Sequence, residues 1–426
     1  MYLITNKYLI MKKVILTLVF AVFTTFTFAQ QAAGSQPYNQ PCPPGEHCDE
    51  INKRSDSCDP AISTPDICED ADLFRSGDAN HSTIIQTGKN SDADVTQEGA
   101  NLSYINQYGN GGARNSAVVS QDGTYMDGLN EAYTFQNGKG NSSTITQTDY
   151  KNKADVNQDG DHNTSTVTQE FAGKNKADVD QWGNNNTSDV TQKGSISGFS
   201  KNKAKILQCG YENDDRSMQD GYKQKICVEQ VGNNNRVGQD QFGTRNLMVV
   251  EQGDHYQPAT KASYFSQVDQ YQDGYRNKAY ASQFATDNKI SQTQFGARNY
   301  AEAVQNKGGA DEPNAGNNEA DQYQDGARNA ALAQQWGKNN FVKQQQMGED
   351  NIAIARQRRG QQAGNSSFQI QTGDDLYSAT WQKAHGNLST VTQSGDLHVS
   401  YVQQNWVSPG GGVGGFNTAT VTQMNK

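Results

Sequence analysis

From Asn80 onward the polar and apolar positions alternate inside short segments of constant length. Each segment opens on an asparagine and closes on a glutamine six residues later, as at Asn101/Gln107, Asn115/Gln121, Asn246/Gln252, Asn299/Gln305, Asn351/Gln357 and Asn417/Gln423. Between them the template reads N-x-[A/S]-x-[V/I]-x-Q-x-G, and roughly two dozen such pairs stay in phase, far more than chance allows. Small and β-branched residues at every second position predict a strand, because side chains alternate between the two faces of an extended chain. In Lys151–Gly160, "KNKADVNQDG", the residues Asn152, Ala154, Val156 and Gln158 share one face and Lys153, Asp155 and Asn157 the other. Gly160, two residues past the glutamine, is placed for a turn where positive φ costs little. A helix is the competing assignment, but a glycine every ~11 residues and the Val/Thr/Ile content oppose it.

The outward residues repeat over two segments, not one. Strands opening at Asn141, Asn163 and Asn186 carry Thr144, Thr146, Thr164, Thr166, Thr168, Thr187 and Thr191 outward. Those opening at Asn152, Asn175 and Asn202 carry Lys153, Asp155, Lys176, Asp178, Lys203 and Lys205. Alternate strands therefore belong to two surfaces, as in a strand–turn–strand rung that stacks on its neighbours. The expected fold class is all-β: a two-sheet β-solenoid of stacked strand–turn–strand rungs with cross-β spacing. Counting segments gives on the order of 14 rungs, hence roughly 65 Å at ~4.8 Å per rung. Its ladder residues would be Asn141, Gln147, Asn152, Gln158, Asn163, Gln169, Asn175, Gln181, Asn186 and Gln192, each amide pairing with the same residue in the rungs above and below.

Composition sharpens this reading. Only 33% of the 426 residues are hydrophobic and the mean hydropathy is −0.87, which by itself favours disorder. A thin Ala/Ser/Val/Ile core bordered by amides reconciles the two. The net charge of −10 leaves no basic footprint for nucleic acid.

Ahead of the repeats, Met11–Ala29 reads "MKKVILTLVFAVFTTFTFA". Two lysines, an apolar run and a small-x-small end predict a secretory signal peptide over residues 1–29, with Met11 a candidate start. No later stretch is apolar for long enough to span a bilayer. Residues 30–79 are rich in Pro and Cys. Cys42, Cys48, Cys58 and Cys68 suggest two bridges among themselves in a compartment where disulfides persist, in any of three connectivities. A zinc site competes but lacks the tight C-x-x-C pairs that structural zinc favours.

The repeated phrase, with serine sometimes in place of asparagine, resembles the curlin repeat of curli subunits. The resemblance covers about Asn80 to Gln423 and implies a secreted extracellular protein whose rungs stack between molecules into functional amyloid, in biofilm matrix and in adhesion. It further implies self as the main partner, with a nucleator subunit, an outer-membrane secretion channel and a periplasmic chaperone. This chain departs from the family in having many more repeats and in the Cys/Pro-rich segment before them, which is expected to cover the N-terminal edge. A monomeric β-solenoid adhesin is the alternative, with ice binding by the Thr stripe a weaker version of it.

Further expectations concern details. Ser91 should take the Asn role after a slip at Lys89–Asn90. The long turn 253–265 should either hide a degenerate segment or swap the two faces. Outward Phe341, Ile352, Ile354, Phe368 and Ile370 would form one lateral strip, and Tyr108, Trp182, Phe242, Phe295 and Trp336 would stack along an edge. Cys209 at a turn and Cys227 at mid-strand should lie too far apart to bridge. P-loop, H-E-x-x-H and G-x-S-x-G motifs are absent, and the acidic turns fit no EF-hand loop. No enzyme, cofactor or metal site is expected.

Overall fold

The computed structural model describes residues 80–424 except 124–128, 172, 195–200, 254–261, 307–315, 361–363, 384–385 and 405–416. All of them lie in the compact unit Cys42–Lys426. The predicted signal peptide and the segment 30–79 fall outside the described residues.

Every named element is a strand, and together they form one 28-stranded sheet. It folds into two parallel stacks. Sheet I stacks Ser142–Thr148, Thr164–Glu170, Thr187–Gly194 and Asp214–Tyr222 in that order. Sheet II stacks Lys153–Asp159, Lys176–Asn184, Lys203–Tyr211 and Lys225–Asn233. Two long strands, His81–Gly99 and Asn101–Gly123, run round a corner and serve both stacks. At the far end the stacks reach Val399–Gln404 in sheet II and Thr418–Met424 in sheet I.

Register follows the template position by position. Ile145 pairs with Val167 and Gln147 with Gln169; Ala154 pairs with Ala177 and Val156 with Val179. These inward apolar side chains are fully buried, while their outward neighbours remain at least partly open. Burial on one face fixes register, since a one-residue slip would turn every Val outward.

The turns are stacked as tightly as the strands. Gly160 has φ +123°, and a Cβ there would lie 2.0 Å from the carbonyl oxygen of Gly183 in the next rung. The backbone also turns left-handed at the residue just before each ladder asparagine: Lys151 (φ 56°), His162 (φ 60°), Lys174 (φ 74°) and Asn185 (φ 56°). That second corner was not evident from the sequence, because its residue type varies. Turn amides bond from rung to rung, as in Gly160 N to Asn137 O (3.0 Å) and His162 N to Lys139 O (2.8 Å), so the corners leave few backbone groups unmatched.

The slip at Lys89 occurs as expected, with Ser91 opposite Asn115. Three expectations are corrected. The faces do not swap after the turn that follows Gln252: Leu247–Gln252 pairs with Lys278–Gln283 in sheet II, and Gln267–Tyr275 follows Arg236–Thr244 in sheet I. Residues 254–261 of that turn, where a degenerate segment was expected, lie outside the described residues. The proposed lateral strip divides, because Phe341, Phe368 and Ile370 lie on sheet I while Ile352 and Ile354 lie on sheet II. The post-glutamine aromatics divide likewise, with Tyr108, Trp182 and Trp336 on sheet II and Phe242 and Phe295 on sheet I.

Candidate functional site

The chemically distinctive feature is a pair of buried amide ladders. In sheet I, Gln121 Nε2 donates to Gln147 Oε1, Gln147 to Gln169 and Gln169 to Gln192, each at 2.8 Å. In sheet II, Gln136, Gln158, Gln181 and Gln208 form the same chain at 2.8 Å. The second N–H of each amide crosses to the opposite sheet: Gln147 to Glu131 O (2.9 Å), Gln158 to Ser142 O (2.9 Å), Gln169 to Lys153 O (3.0 Å), Gln181 to Thr164 O (2.9 Å) and Gln192 to Lys176 O (3.0 Å). One residue type thus ties rung to rung and sheet to sheet, and satisfies its own buried amide in doing so.

The asparagines work differently from the expectation of direct like-to-like pairing. Their Oδ1 accepts the backbone N–H of the next ladder residue: Asn152 N to Asn130 Oδ1 (3.0 Å), Asn163 N to Asn141 Oδ1 (2.9 Å), Asn175 N to Asn152 Oδ1 (3.1 Å), Asn186 N to Asn163 Oδ1 (3.0 Å). Their Nδ2 reaches turn carbonyls, as from Asn141 to Gly160 O and from Asn163 to Gly183 O, both 2.8 Å. The shorter side chain places its amide beside the corner, where unpaired carbonyls need donors. A direct bond, Asn186 Nδ2 to Asn163 Oδ1 (3.2 Å), occurs as an addition.

Sequence reasoning missed a third ladder. At the central inward position of sheet I, Ile145, Val167 and Val190 give way to Gln239, Gln270, Gln292, Gln322, Gln344 and Gln369, all buried. They bond in series at 2.6–2.8 Å. Gln270, Gln292, Gln322, Gln344 and Gln369 also donate across the core, for example Gln292 to Tyr280 O and Gln322 to Glu302 O, both 3.0 Å. Space for the longer side chain comes from sheet II, where Val156, Val179, Ile206 and Val228 are succeeded by Ala281, Ala303, Ala333 and Ala355. The available signal was the doubled glutamine in "DQYQDG" and "SQTQFG".

The change of core passes through Asp215, a carboxyl at 0% exposure whose neighbours are Ser217 Oγ (3.0 Å) and Ser188 Oγ (3.4 Å). Burial, with nearby Asp214 and Asp189 adding, holds it well above the usual carboxylate range, and the two hydroxyls offset only part.

The outer faces carry columns. Lys153, Lys176, Lys203 and Lys225 stand over one another. Partial burial, then Lys225 and Lys176, lowers the affinity of Lys203 for its proton. Lys153 is relieved by Glu131 at 3.1 Å. On sheet I, Phe242, Tyr271, Phe295 and Tyr323 form a zigzag with ring centroids 5.6, 5.4 and 5.9 Å apart.

Both ends of the stack expose ladder positions. Val391 and Val167 are fully buried, but Val421, the same position in the last strand, is only half-buried, and Ile84 in the first strand is 44% exposed. Among the described residues, Thr418–Met424 pairs on one side only, with Leu388–Ser394.

These features define a parallel β-solenoid repeat protein, structural in kind. A family model for the curlin associated repeat matches residues 70–99, so the chain carries that repeat, and the described part of the match is the first rung. The register of that rung recurs along both sheets. No curated protein matches the chain. Curlin repeats are associated with extracellular fibres, and the solenoid fits a curli-like, amyloid-type subunit.

Proposed function

We propose that this protein is a secreted structural subunit that adds copies of itself end to end, forming curli-like fibres at the cell surface for matrix and adhesion. The observation that carries the reading is the polarity of the glutamine ladders. Every glutamine–glutamine bond runs the same way, Nε2 of one rung to Oε1 of the next toward the C-terminal end. Gln423 Nε2 gives one N–H to Val399 O (3.1 Å), and among the described residues no glutamine is stacked beyond it. At the opposite end Gln97 donates to Gln121 (2.7 Å), and among the described residues no glutamine is stacked ahead of it in sheet I. A second copy placed in phase sets Gln97 under Gln423, Val95 under Val421 and Ala93 under Ala419. In sheet II it sets Gln86 under Gln404 and Ile84 under Val402. Apolar edges and open strand groups then pair in one step.

On this reading the partners are other copies of the chain, joined by the nucleator, outer-membrane channel and periplasmic chaperone that the resemblance implies. The competing reading is a single solenoid acting as an adhesin, favoured by the aromatic zigzag on sheet I. To separate them, the full chain is released from denaturant and followed by electron microscopy, an amyloid dye and fibre diffraction. Fibres with a meridional repeat of ~4.8 Å are expected, and Val421→Lys should fold but stop elongating. Monodisperse particles at all concentrations, or undiminished growth of the Val421→Lys chain, would overturn the fibre reading.

A further inference from the structure

Cys209 and Cys227 are each disulfide-bonded, and among the described residues no cysteine is free. They lie on adjacent strands of sheet II, where Cys209 pairs with Val231 and Cys227 with Lys205. Four positions along a strand amount to ~13 Å at 3.3 Å per residue, whereas bridged Cα atoms stand within about 7 Å. Neither can be the partner of the other. The chain has six cysteines, so the partners come from Cys42, Cys48, Cys58 and Cys68.

Burial supplies a second, independent observation. Outward residues of the preceding rung, Asp178 and Asp180, remain partly open. Around the two cysteines the outward face is closed: Lys205 is 9% exposed, Leu207 5%, Cys209 2%, Cys227 1%, Glu229 6% and Val231 3%. An outward face bearing a lysine and a glutamate does not lose its water without cover.

We propose that the Cys/Pro-rich segment holding Cys42–Cys68 is clasped by two disulfides onto this patch of sheet II. The reach is sufficient. From Cys68 to His81 the chain can extend over about 40 Å, while five rungs separate the His81 strand from the Lys203 strand, about 24 Å at ~4.8 Å each. With two of the four so engaged, only one bridge remains to join the others, in place of the two expected from the sequence. The segment then lies on a side face at mid-stack, where it limits lateral packing and leaves both ends open. Each bridge replaces two S–H bonds by one S–S bond, its two electrons and two protons passing to a dithiol–disulfide exchange protein of the secretory compartment. The inference stands whether or not the chain forms fibres.

The test is peptide mapping of the oxidised, full-length monomer, alkylated and digested without reductant. Peptides containing Cys209 and Cys227 should each be found joined to peptides from residues 42–68. Alkylated Cys209 or Cys227, or the two joined to each other, overturns the proposal. Amine labelling checks the cover: Lys205 should react several-fold more slowly than Lys153 and gain that difference on reduction. Equal labelling before reduction overturns it as well.

Discussion

Replacing Gln169 by methionine keeps the side chain's bulk and removes its amide. That amide accepts from Gln147 and donates to Gln192 and to Lys153 O, so one donor and two acceptors lose their partner. At about 1–3 kcal/mol for each buried group left unmatched, the cost is about 3–9 kcal/mol, nearer the lower end as the methionine stem packs. Gln147→Met strands three groups in the same way: Gln121 Nε2, Gln169 Oε1 and Glu131 O. The double variant deletes the 147–169 bond together with both its ends, leaving four groups stranded in place of six. The double-mutant cycle should therefore show a coupling of about 2–6 kcal/mol, with the pair less damaging than the sum of its parts. The assay is urea unfolding of dispersed, seed-free chain followed by circular dichroism. Hydrogen exchange at the Ile145 and Val167 amides adds local resolution, because stacked repeats open piecewise. Strictly additive effects, or single variants within about 0.5 kcal/mol of the parent, would refute the view that amide ladders hold this core.

Gly160→Ala should cost about 3 kcal/mol or more by denaturant unfolding, since a Cβ at φ +123° meets the Gly183 carbonyl at 2.0 Å. Asp215 binds its proton more tightly in the fold than in the open chain, so its contribution is complete below the unfolded value of about 4 and is lost as pH rises, at about 1.4 kcal/mol per unit, until the folded value is passed. Asp215→Asn should abolish that slope and raise stability at neutral pH, as read from unfolding midpoints between acid and neutral pH. Ala303→Val should cost about 1–3 kcal/mol by the same denaturant assay, because Gln322 occupies the space across from it.

The strand pattern, the two faces and the register were legible because inward positions are nearly invariant along the chain while outward ones drift. Asn152, Ala154, Val156 and Gln158 announce their face without any tertiary information. The Gln239–Gln369 ladder was not legible, because a template written from the first rungs reserves that position for Val or Ile. Only the pairing of long glutamine with short alanine across the core shows that polarity and volume were exchanged together. The asparagine bonds were obscured for a geometric reason: a side chain one methylene shorter than glutamine meets the corner carbonyls before it meets its own kind. The left-handed corners at Lys151 and Lys174 carry no residue signature, since the stack over-determines their backbone and Asn, Lys, Arg and Asp all serve.

Such a core is more selective than an apolar one. A Val or Ile stack shifted by two residues would still bury hydrocarbon, but here the shift would set Gln169 beyond the Gln147 amide and strand both. Reversing the direction of stacking fails for another reason. The sheet I ladder presents an N–H of Gln423 at its C-terminal end and the amide oxygen of Gln97 at its N-terminal end, so like ends offer donor to donor. Only an end of opposite kind in the same register satisfies Gln423 and Gln97 together. Polar composition, which weakens the case for folding when residues are counted, thereby becomes the source of register and, on the proposed fibre reading, of the sense of growth, with the other end of another copy as the surface that would match an open end.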